Sequence, residues 1–130
     1  DLNQFMYSMI GDETDGGILT FESSHPKWSY AKLNEDGFVQ EVAEKKPISN
    51  HATVGVYYFK HGENYVKAAE QMISKNIRTN NEFYVCPVYN ECILNGEKIK
   101  IFGIPKDSMW GLGTPEDLSF FINNYETNSA

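Results

Sequence analysis

Residues 52–59 read Ala-Thr-Val-Gly-Val-Tyr-Tyr-Phe, and this stretch decides the fold. It is almost continuously apolar and rich in β-branched and aromatic residues, without the polar alternation of a strand that faces water on one side. Such a run is typical of a strand that is covered on both faces of a sheet. The sequence therefore predicts that residues 52–59 form a central strand.

Further strands are predicted on both sides of this run. Gly16–Glu22 and Ser29–Leu33 have strand composition, and so do residues 38–42. The segment Asn34-Glu35-Asp36-Gly37 contains an Asp-Gly pair between two such runs, which is a strong signal for a hairpin. A last strand is predicted from Ile99 and Ile101, which alternate with lysines. We expect a sheet with an inserted hairpin.

Helices are predicted where apolar residues recur at a spacing of three and four. The most secure one follows Thr114-Pro115-Glu116-Asp117, which offers an N-cap, a proline at the first helical position and a carboxylate three residues after the cap. The others are marked by Leu2, Phe5, Met6 and Met9, by residues 65–73, and by residues 85–93 with Pro87 in the first turn. Strands and helices thus alternate as in an α/β protein. A chain that opens inside an amphipathic helix also leads us to expect that it was trimmed from a longer one.

Composition limits the classes of partner. The 130 residues include 18 acidic and 11 basic side chains, which gives a formal charge of −7. Scattered basic residues argue against binding to nucleic acid or to anionic lipid. No apolar run approaches the roughly twenty residues of a membrane helix, and the chain does not begin with a signal peptide, so we expect a cytoplasmic protein. Cys86 and Cys92, on different faces of a predicted helix, are expected to be buried free thiols.

The charged segment Glu41-Val42-Ala43-Glu44-Lys45-Lys46-Pro47 is the most informative for function. A glutamate at the end of a strand can accept hydrogen bonds from sugar hydroxyls, and a neighbouring lysine can hold a phosphate. On these residues alone, a solvated charged turn is the better interpretation. Trp28 and Tyr30 could offer a stacking face to a sugar, although aromatic residues in a strand more often belong to the core.

Two other features favour structural interpretations. The glycine-rich segment before residue 114 could bind an anion at a helix N-terminus, but Glu116 and Asp117 already occupy that positive end, so capping is the stronger interpretation. The three histidines have no metal-ligand spacing, and the glycine patterns of hydrolases and dinucleotide-binding enzymes are absent from the sequence. Hydrolase and oxidoreductase functions therefore gain no support.

Taken in order, five segments resemble the second half of the sugar nucleotidyltransferase family, in which glucose-1-phosphate thymidylyltransferase is a familiar member. The segments are residues 15–20, residues 28–31, residues 44–45 with residues 52–59, residues 81–84 and residues 110–118. The resemblance implies a three-layer, Rossmann-like α/β fold of the glycosyltransferase-A type with a mixed sheet. It implies that residues 1–130 are the C-terminal, sugar-phosphate-binding part of a nucleotidyltransferase domain, without the N-terminal nucleotide-binding part.

The family's reaction implies roles for several residues. A sugar 1-phosphate attacks the α-phosphorus of an NTP and releases pyrophosphate with the help of Mg²⁺, which requires positioning and charge neutralisation more than a nucleophile. The resemblance implies that Glu44 binds the sugar hydroxyls and that Lys45 binds the sugar phosphate. When the alignment is anchored on Pro47, Lys46 binds the phosphate instead. The remaining implied contacts are the backbone at Tyr30 and Ala31 beside the sugar ring, with Thr53, Gly55 and Glu82 lining the pocket.

Two departures from the family pattern shape the expectations. The nucleotide loop and the first metal-binding Asp of the family have no counterpart in these residues, so the isolated chain is expected to be inactive. The position of the second metal-binding Asp corresponds to Leu112 or Gly111, and neither side chain can bind a metal. These residues are therefore expected to hold no metal of their own.

We expect a parent enzyme that makes an NDP-sugar for polysaccharide or glycoconjugate synthesis from an NTP and a sugar 1-phosphate. Two alternatives stay open: a non-catalytic sensor of sugar phosphates or nucleotide sugars, and cytidylyl transfer to a phosphorylated alcohol such as phosphocholine. The second alternative would need an aromatic cage, for which Trp28, Tyr30 and Trp110 are the available residues. If another part of the protein covers the strand of residues 52–59, the isolated chain should associate with itself.

Overall fold

The computed structural model describes residues 2–9, 14–106 and 115–128. The elements of this part of the chain are α1 (Leu2–Met9), β1 (Gly16–Glu22), β2 (Ser29–Leu33), β3 (Val39–Glu44), β4 (His51–Phe59), α2 (Gly62–Ser74), α3 (Val88–Leu94), β5 (Ile99–Gly103) and α4 (Pro115–Asn128). The strands form one sheet in the order β3-β2-β4-β1-β5. Because β5 runs parallel to β1 while the other neighbours are antiparallel, the sheet is mixed, as the family resemblance implied.

β4 occupies the middle of the sheet, which confirms its predicted position. Its side chains pack on both faces, as predicted: Tyr57 and Phe59 contact the cluster on one face, and Val56 and Tyr58 contact the cluster on the other. Burial is complete only at Ala52 and Thr53. A bulge interrupts the strand: Ile18 pairs with Tyr57 but Thr20 pairs with Thr53, so residues 54–56 lie opposite a single residue of β1. Gly55 has a φ of 97°, which a glycine adopts without strain.

α1 covers one face of the sheet. Phe5 and Met9 are its buried residues, and they pack with Leu19 of β1. The helix comes very close to the strand at Gly17, where an added Cβ would lie 2.4 Å from Met9 Sδ. A glycine at this position therefore allows the helix to dock.

The second face is covered by α2 and α3, so the fold has three layers. Tyr89 of α3 is buried at the centre, with its ring stacked on Phe59 at 4.5 Å between centroids. Its hydroxyl lies 3.0 Å from the carbonyl oxygen of Gly17 and 2.9 Å from that of Tyr58, to which it donates. Burial raises the pKa of Tyr89 above its usual value, which keeps this donor protonated.

A side chain of α3 also protects the edge strand β3. Val42 N donates to Asn90 Oδ1 at 2.8 Å, and Asn90 Nδ2 donates to Val42 O at 2.9 Å. The amide thus replaces a neighbouring strand for one residue, in a place where an open edge would invite pairing with another chain.

α3 begins at Val88, later than predicted, and Cys86 precedes it. Pro87 explains the difference, because the residue before a proline is disfavoured in the helical region. Cys86 and Cys92 are both free and buried, as predicted.

β3 extends to Glu44, two residues beyond the predicted strand, and this brings Glu44 into the sheet. α4 begins at Pro115, and Asp117 in its first turn lies 3.5 Å from Lys27 Nζ. The predicted N-cap and the glycine-rich segment before it lie outside the described residues. Within the described ranges, every helix is too short or too polar to cross a bilayer.

Candidate substrate site

A row of polar side chains crosses four neighbouring strands, from the edge strand β3 to β1. Glu44 of β3 pairs with Ser29 of β2, and Thr53 of β4 pairs with Thr20 of β1. The pairing of Tyr30 with Ala52 places Ser29 beside Thr53. Because directly opposite residues share a face, Glu44, Ser29, Thr53 and Thr20 form one polar row on the side of α2 and α3.

Glu44 is the charged end of the polar row. Its carboxylate accepts a hydrogen bond from the Ser29 hydroxyl. Burial, followed by the negative charge of Glu44, raises the pKa of the Cys86 thiol to about 12. Burial, followed by the effect of Cys86, likewise raises the pKa of Tyr57, whose hydroxyl lies 3.0 Å from Thr53 Oγ1.

These pKa shifts determine which groups in and beside the polar row can donate hydrogen bonds. At neutral pH the Tyr57 hydroxyl and the Cys86 thiol are protonated, so both can donate hydrogen bonds, whereas a carboxylate accepts them. A protonated thiol is a poor nucleophile. The arrangement suits the binding of a ligand with several hydroxyl groups better than covalent catalysis.

Lys45 follows directly after the polar row and is exposed. Its φ of 56° lies in the left-handed region, which is unusual for a lysine. Lys45 Nζ lies 5.5 Å from the centroid of the Tyr84 ring. Lys46 is exposed as well, and the choice between the two lysines as phosphate ligand stays a prediction.

Tyr30 and Ala31 are both fully buried. The Tyr30 hydroxyl donates to His25 O, and its ring packs in a cluster with Phe21 on the face opposite the polar row. The interpretation of the Tyr30 ring as a stacking face was therefore wrong, because successive strand residues point to opposite faces and this one entered the core. The contact of the backbone at Tyr30 and Ala31 with a sugar stays a prediction.

The proposed aromatic cage also loses its basis. Tyr30 is buried, and the half-buried Trp28 packs edge-on against Phe21 at 5.3 Å between ring centroids. Trp110 lies outside the described residues. Nothing in the described part of the chain therefore favours a quaternary ammonium ligand.

The other predicted residues lie at different distances from the polar row. Thr53 is part of it, and Gly55 lies in the bulge between Thr53 and Tyr57. Glu82 is exposed and closes a tight turn with Thr79, outside the row. The structure thus places Glu44 and Thr53 in one row with Ser29 between them, Lys45 next to Glu44, and Glu82 outside the row.

Four neighbours of the predicted residues were not assigned a role from the sequence. They are Ser29, Tyr57, Tyr84 and Cys86. Each lies inside or next to a segment that carried the family resemblance, and this is the signal that could have found them.

A separate hollow lies near the carboxyl ends of β1, β2 and β5. It has a volume of about 700 Å³ and meets the polar row only at Thr20. Its charged lining residues, Glu22 and Lys32, are exposed, so their side chains are not fixed by packing. In the polar row, Ser29 and Thr53 are buried and hydrogen-bonded, so the row is the better preorganised of the two.

The described residues do not provide a cluster of ligands for a magnesium ion. No group of three His, Cys, Asp or Glu side chains that could hold a metal occurs in residues 2–9, 14–106 and 115–128. Gly111 and Leu112, at the position of the family's metal-binding Asp, lack ligand atoms in their side chains and lie outside the described residues.

No family model and no curated protein matches this sequence. Solved structures do match. The nucleoside-diphosphate-sugar pyrophosphorylase from Vibrio cholerae RC9 is 27% identical with a TM-score of 0.79, covering 95% of this chain and 49% of its own. The inositol-1-phosphate CTP transferase from T. maritima is 14% identical with a TM-score of 0.58, covering 87% of this chain and 44% of its own.

A third match is CMP:2-keto-3-deoxy-manno-octonic acid synthetase complexed with CTP. It is 14% identical with a TM-score of 0.58, and the match covers 99% of this chain and 55% of the synthetase. The chain has the fold of the nucleotidyltransferases, and its predicted resemblance to them is confirmed. It spans about half the length of each of these structures.

Proposed function

We propose that this chain is the C-terminal, sugar-phosphate-binding part of a nucleotidyltransferase domain. The parent enzyme would transfer a nucleotidyl group from an NTP to a sugar 1-phosphate and give an NDP-sugar and pyrophosphate. The observation that carries the proposal is the match to the Vibrio cholerae pyrophosphorylase, which extends over 95% of this chain at 27% identity.

The geometry of the polar row supports a role in binding the sugar. The Glu44 carboxylate is oriented by Ser29 and can accept hydrogen bonds from sugar hydroxyls, while Tyr57 and Cys86 can donate. A ligand held by several fixed groups loses less freedom on reaction than one that is held by a single contact.

Lys45 would supply the positive charge that the sugar phosphate needs. An ammonium group is a compact cation with three donors, which suits a phosphate oxygen. No nucleophile is required of this part of the chain, because the phosphate of the sugar is itself the attacking group.

The proposal assigns the nucleotide, and the Mg²⁺ that the family uses, to a part of the domain outside these 130 residues. The isolated chain would then be inactive, and the parent would supply NDP-sugar for polysaccharide synthesis in the cytoplasm. Self-association of the isolated chain is part of the same proposal.

Pyrophosphate release tests the proposal. The full-length parent is supplied with Mg²⁺, each of the four common NTPs and a panel of hexose 1-phosphates, beside the present chain as control. We expect release by the parent alone. If neither protein releases pyrophosphate but ligands still bind, the result would favour a sensor. Pyrophosphate release only with CTP and phosphocholine would favour the cytidylyltransferase.

Calorimetric titration of the parent with a hexose 1-phosphate tests the assignment of the phosphate ligand. Lys45→Ala should weaken binding about 10- to 100-fold, since it removes a charged hydrogen bond, and should leave NTP binding unchanged. Lys46→Ala is the matched control. If Lys46→Ala has the larger effect, the phosphate belongs to Lys46, and equal losses for both ligands would remove Lys45 from the site.

A further inference from the structure

We propose that Tyr84 is a positioning residue whose ring face holds the Lys45 ammonium group where the phosphate of the sugar phosphate binds. This inference rests on the proposed function and adds to it a residue with no role in the implied contact set. It starts from the distance of 5.5 Å between Lys45 Nζ and the Tyr84 ring centroid, which is within the range of a cation–π interaction.

The backbone at Lys45 explains how the contact arises. Side chains of consecutive strand residues point to opposite faces, so Lys45 would normally point away from Glu44. Its left-handed φ of 56° breaks that alternation at the end of β3. As a result, both side chains act on the segment of residues 84–86. The charge of Glu44 contributes to the raised pKa of the Cys86 thiol, and the ammonium group of Lys45 lies near the Tyr84 ring.

Lysine is an unusual choice for this backbone conformation. Three other non-glycine residues have a positive φ, and all of them are asparagines, which tolerate the left-handed region: Asn76, Asn80 and Asn81. Lys45 is the exception among the described residues. Backbone strain that persists at one residue is often found where function requires its placement.

Tyr84 is held from both sides. On its N-terminal side, Thr79 and Glu82 close a turn with two backbone hydrogen bonds, of 2.9 Å and 3.0 Å. The guanidinium of Arg78 lies 4.4 Å from the Phe83 ring centroid and donates to the carbonyl oxygen of Asn81 at 3.3 Å. On its C-terminal side Val85 is exposed, and the chain enters the core at Cys86, which is buried.

An aromatic partner leaves the ammonium group available for a phosphate. Lys75 shows the contrast, because its Nζ lies 2.6 Å from Glu91 Oε1 and its charge is balanced by a carboxylate. A ring face attracts the cation but accepts no conventional hydrogen bond and carries no net charge. Lys45 can therefore be oriented by Tyr84 and keep its donors for the ligand.

The test measures dissociation constants of the full-length parent for glucose, galactose and mannose 1-phosphates, and for NTPs, by calorimetry. For the hexose 1-phosphate that binds most tightly, Tyr84→Leu should weaken binding about 2- to 5-fold. Tyr84→Phe, which keeps a ring, should stay close to the wild type, and NTP binding should not change. Phe38→Leu is a matched control, because Lys98 Nζ lies 5.7 Å from the Phe38 ring centroid at the far end of β3.

Tyr84→Glu provides a second variant in case the leucine variant does not fold. A carboxylate near Lys45 would compete with the phosphate, so it should weaken hexose 1-phosphate binding more than leucine does. In a Lys45→Ala background, Tyr84→Leu should have no further effect, because the ring then has no ammonium group to hold.

The outcomes separate this inference from the proposed function. If no hexose 1-phosphate binds, or Lys45→Ala has no effect on binding, the proposed role of Lys45 fails and the inference fails with it. If Lys45→Ala weakens binding but Tyr84→Leu or Tyr84→Glu does not, only the inference is overturned. An undiminished effect of Tyr84→Leu in the Lys45→Ala background would also overturn it.

Discussion

Two adjacent glycines of β1 show how different the two faces of the sheet are. An added Cβ at Gly16 would lie 2.9 Å from the carbonyl oxygen of Tyr58 and 2.8 Å from Ile99 Cδ1, on the face of the polar row. At Gly17 it would meet the Met9 side chain on the α1 face. A methionine side chain can move, whereas the backbone of a central strand cannot. The face that carries the candidate site is therefore the less tolerant of change.

The largest effect is expected from substituting these glycines. Gly16→Ala should lower the free energy of unfolding by about 3 kcal/mol, because the backbone cannot make room, and Gly17→Ala by about 1 kcal/mol. Gly103→Ala is the control in the same sheet, since an added Cβ meets nothing within 4 Å there. Urea denaturation measures all three, and a larger loss at Gly17 than at Gly16 would reverse the comparison between the faces.

Substitutions of Asn90 test how much its hydrogen bonds to the edge strand β3 contribute to stability. Asn90→Ala removes both hydrogen bonds to Val42 and should lower the free energy of unfolding by about 2 kcal/mol. Asn90→Asp keeps the acceptor for Val42 N but places a carboxylate oxygen against Val42 O, and because these two oxygens repel each other its loss should be at least as large. Thermal and urea denaturation check both variants, and an unchanged Asn90→Ala protein would show that β3 needs no cover.

The pH dependence of stability tests the buried thiol beside Glu44. Because folding raises the pKa of Cys86 from 9.0 to about 12, the unfolded chain loses this proton first as the pH rises. The stability from the protonated thiol is complete below pH 9 and is lost between pH 9 and 12.

The wild type should therefore lose stability faster than Cys86→Ala above pH 9, by about 1.4 kcal/mol for each pH unit. Urea denaturation at a series of pH values gives both slopes, and their difference reports Cys86 together with its effect on the pKa of Tyr57, since the remaining groups titrate in both proteins. Parallel profiles would show that the thiol is not shielded from water beside the carboxylate.

Much of the fold could be predicted because its signals are local. β1 and β2 have the predicted bounds, and the hairpin turn and the four helices lie where the residue patterns placed them, apart from the late start of α3. Hydrophobic periodicity and turn residues act over a few neighbours, so a single sequence is enough to read them.

The arrangement of the candidate site could not be predicted in the same way. Counting outward from the Asn34–Phe38 contact of the hairpin places Ala43, not Glu44, opposite Ser29. An irregularity between Lys32 and Leu33 shifts the register by one residue and brings Glu44 into that position. Such a shift exchanges the two faces of a strand, and nothing in the hairpin sequence announces it.

The contact between Lys45 and Tyr84 was equally invisible, because it joins residues that are far apart in the sequence. It depends on the left-handed backbone of Lys45, which lysine does not favour by itself. The residue types of the site were thus available from the family resemblance. Their distances were set by tertiary structure.

The smallest effect on the free energy of unfolding is expected at Lys45, where a strained backbone lowers the stability of the face that carries the candidate site. Glycine adopts a φ of 56° without strain, so Lys45→Gly should be more stable than Lys45→Ala by about 1 kcal/mol. The comparison with alanine removes the lost lysine side chain from the difference. Position 46 has no positive φ, so Lys46→Gly should be no more stable than Lys46→Ala. If Lys45→Gly is less stable than Lys45→Ala, the backbone at Lys45 is not strained. The proposal that this conformation is maintained for ligand binding then loses its support.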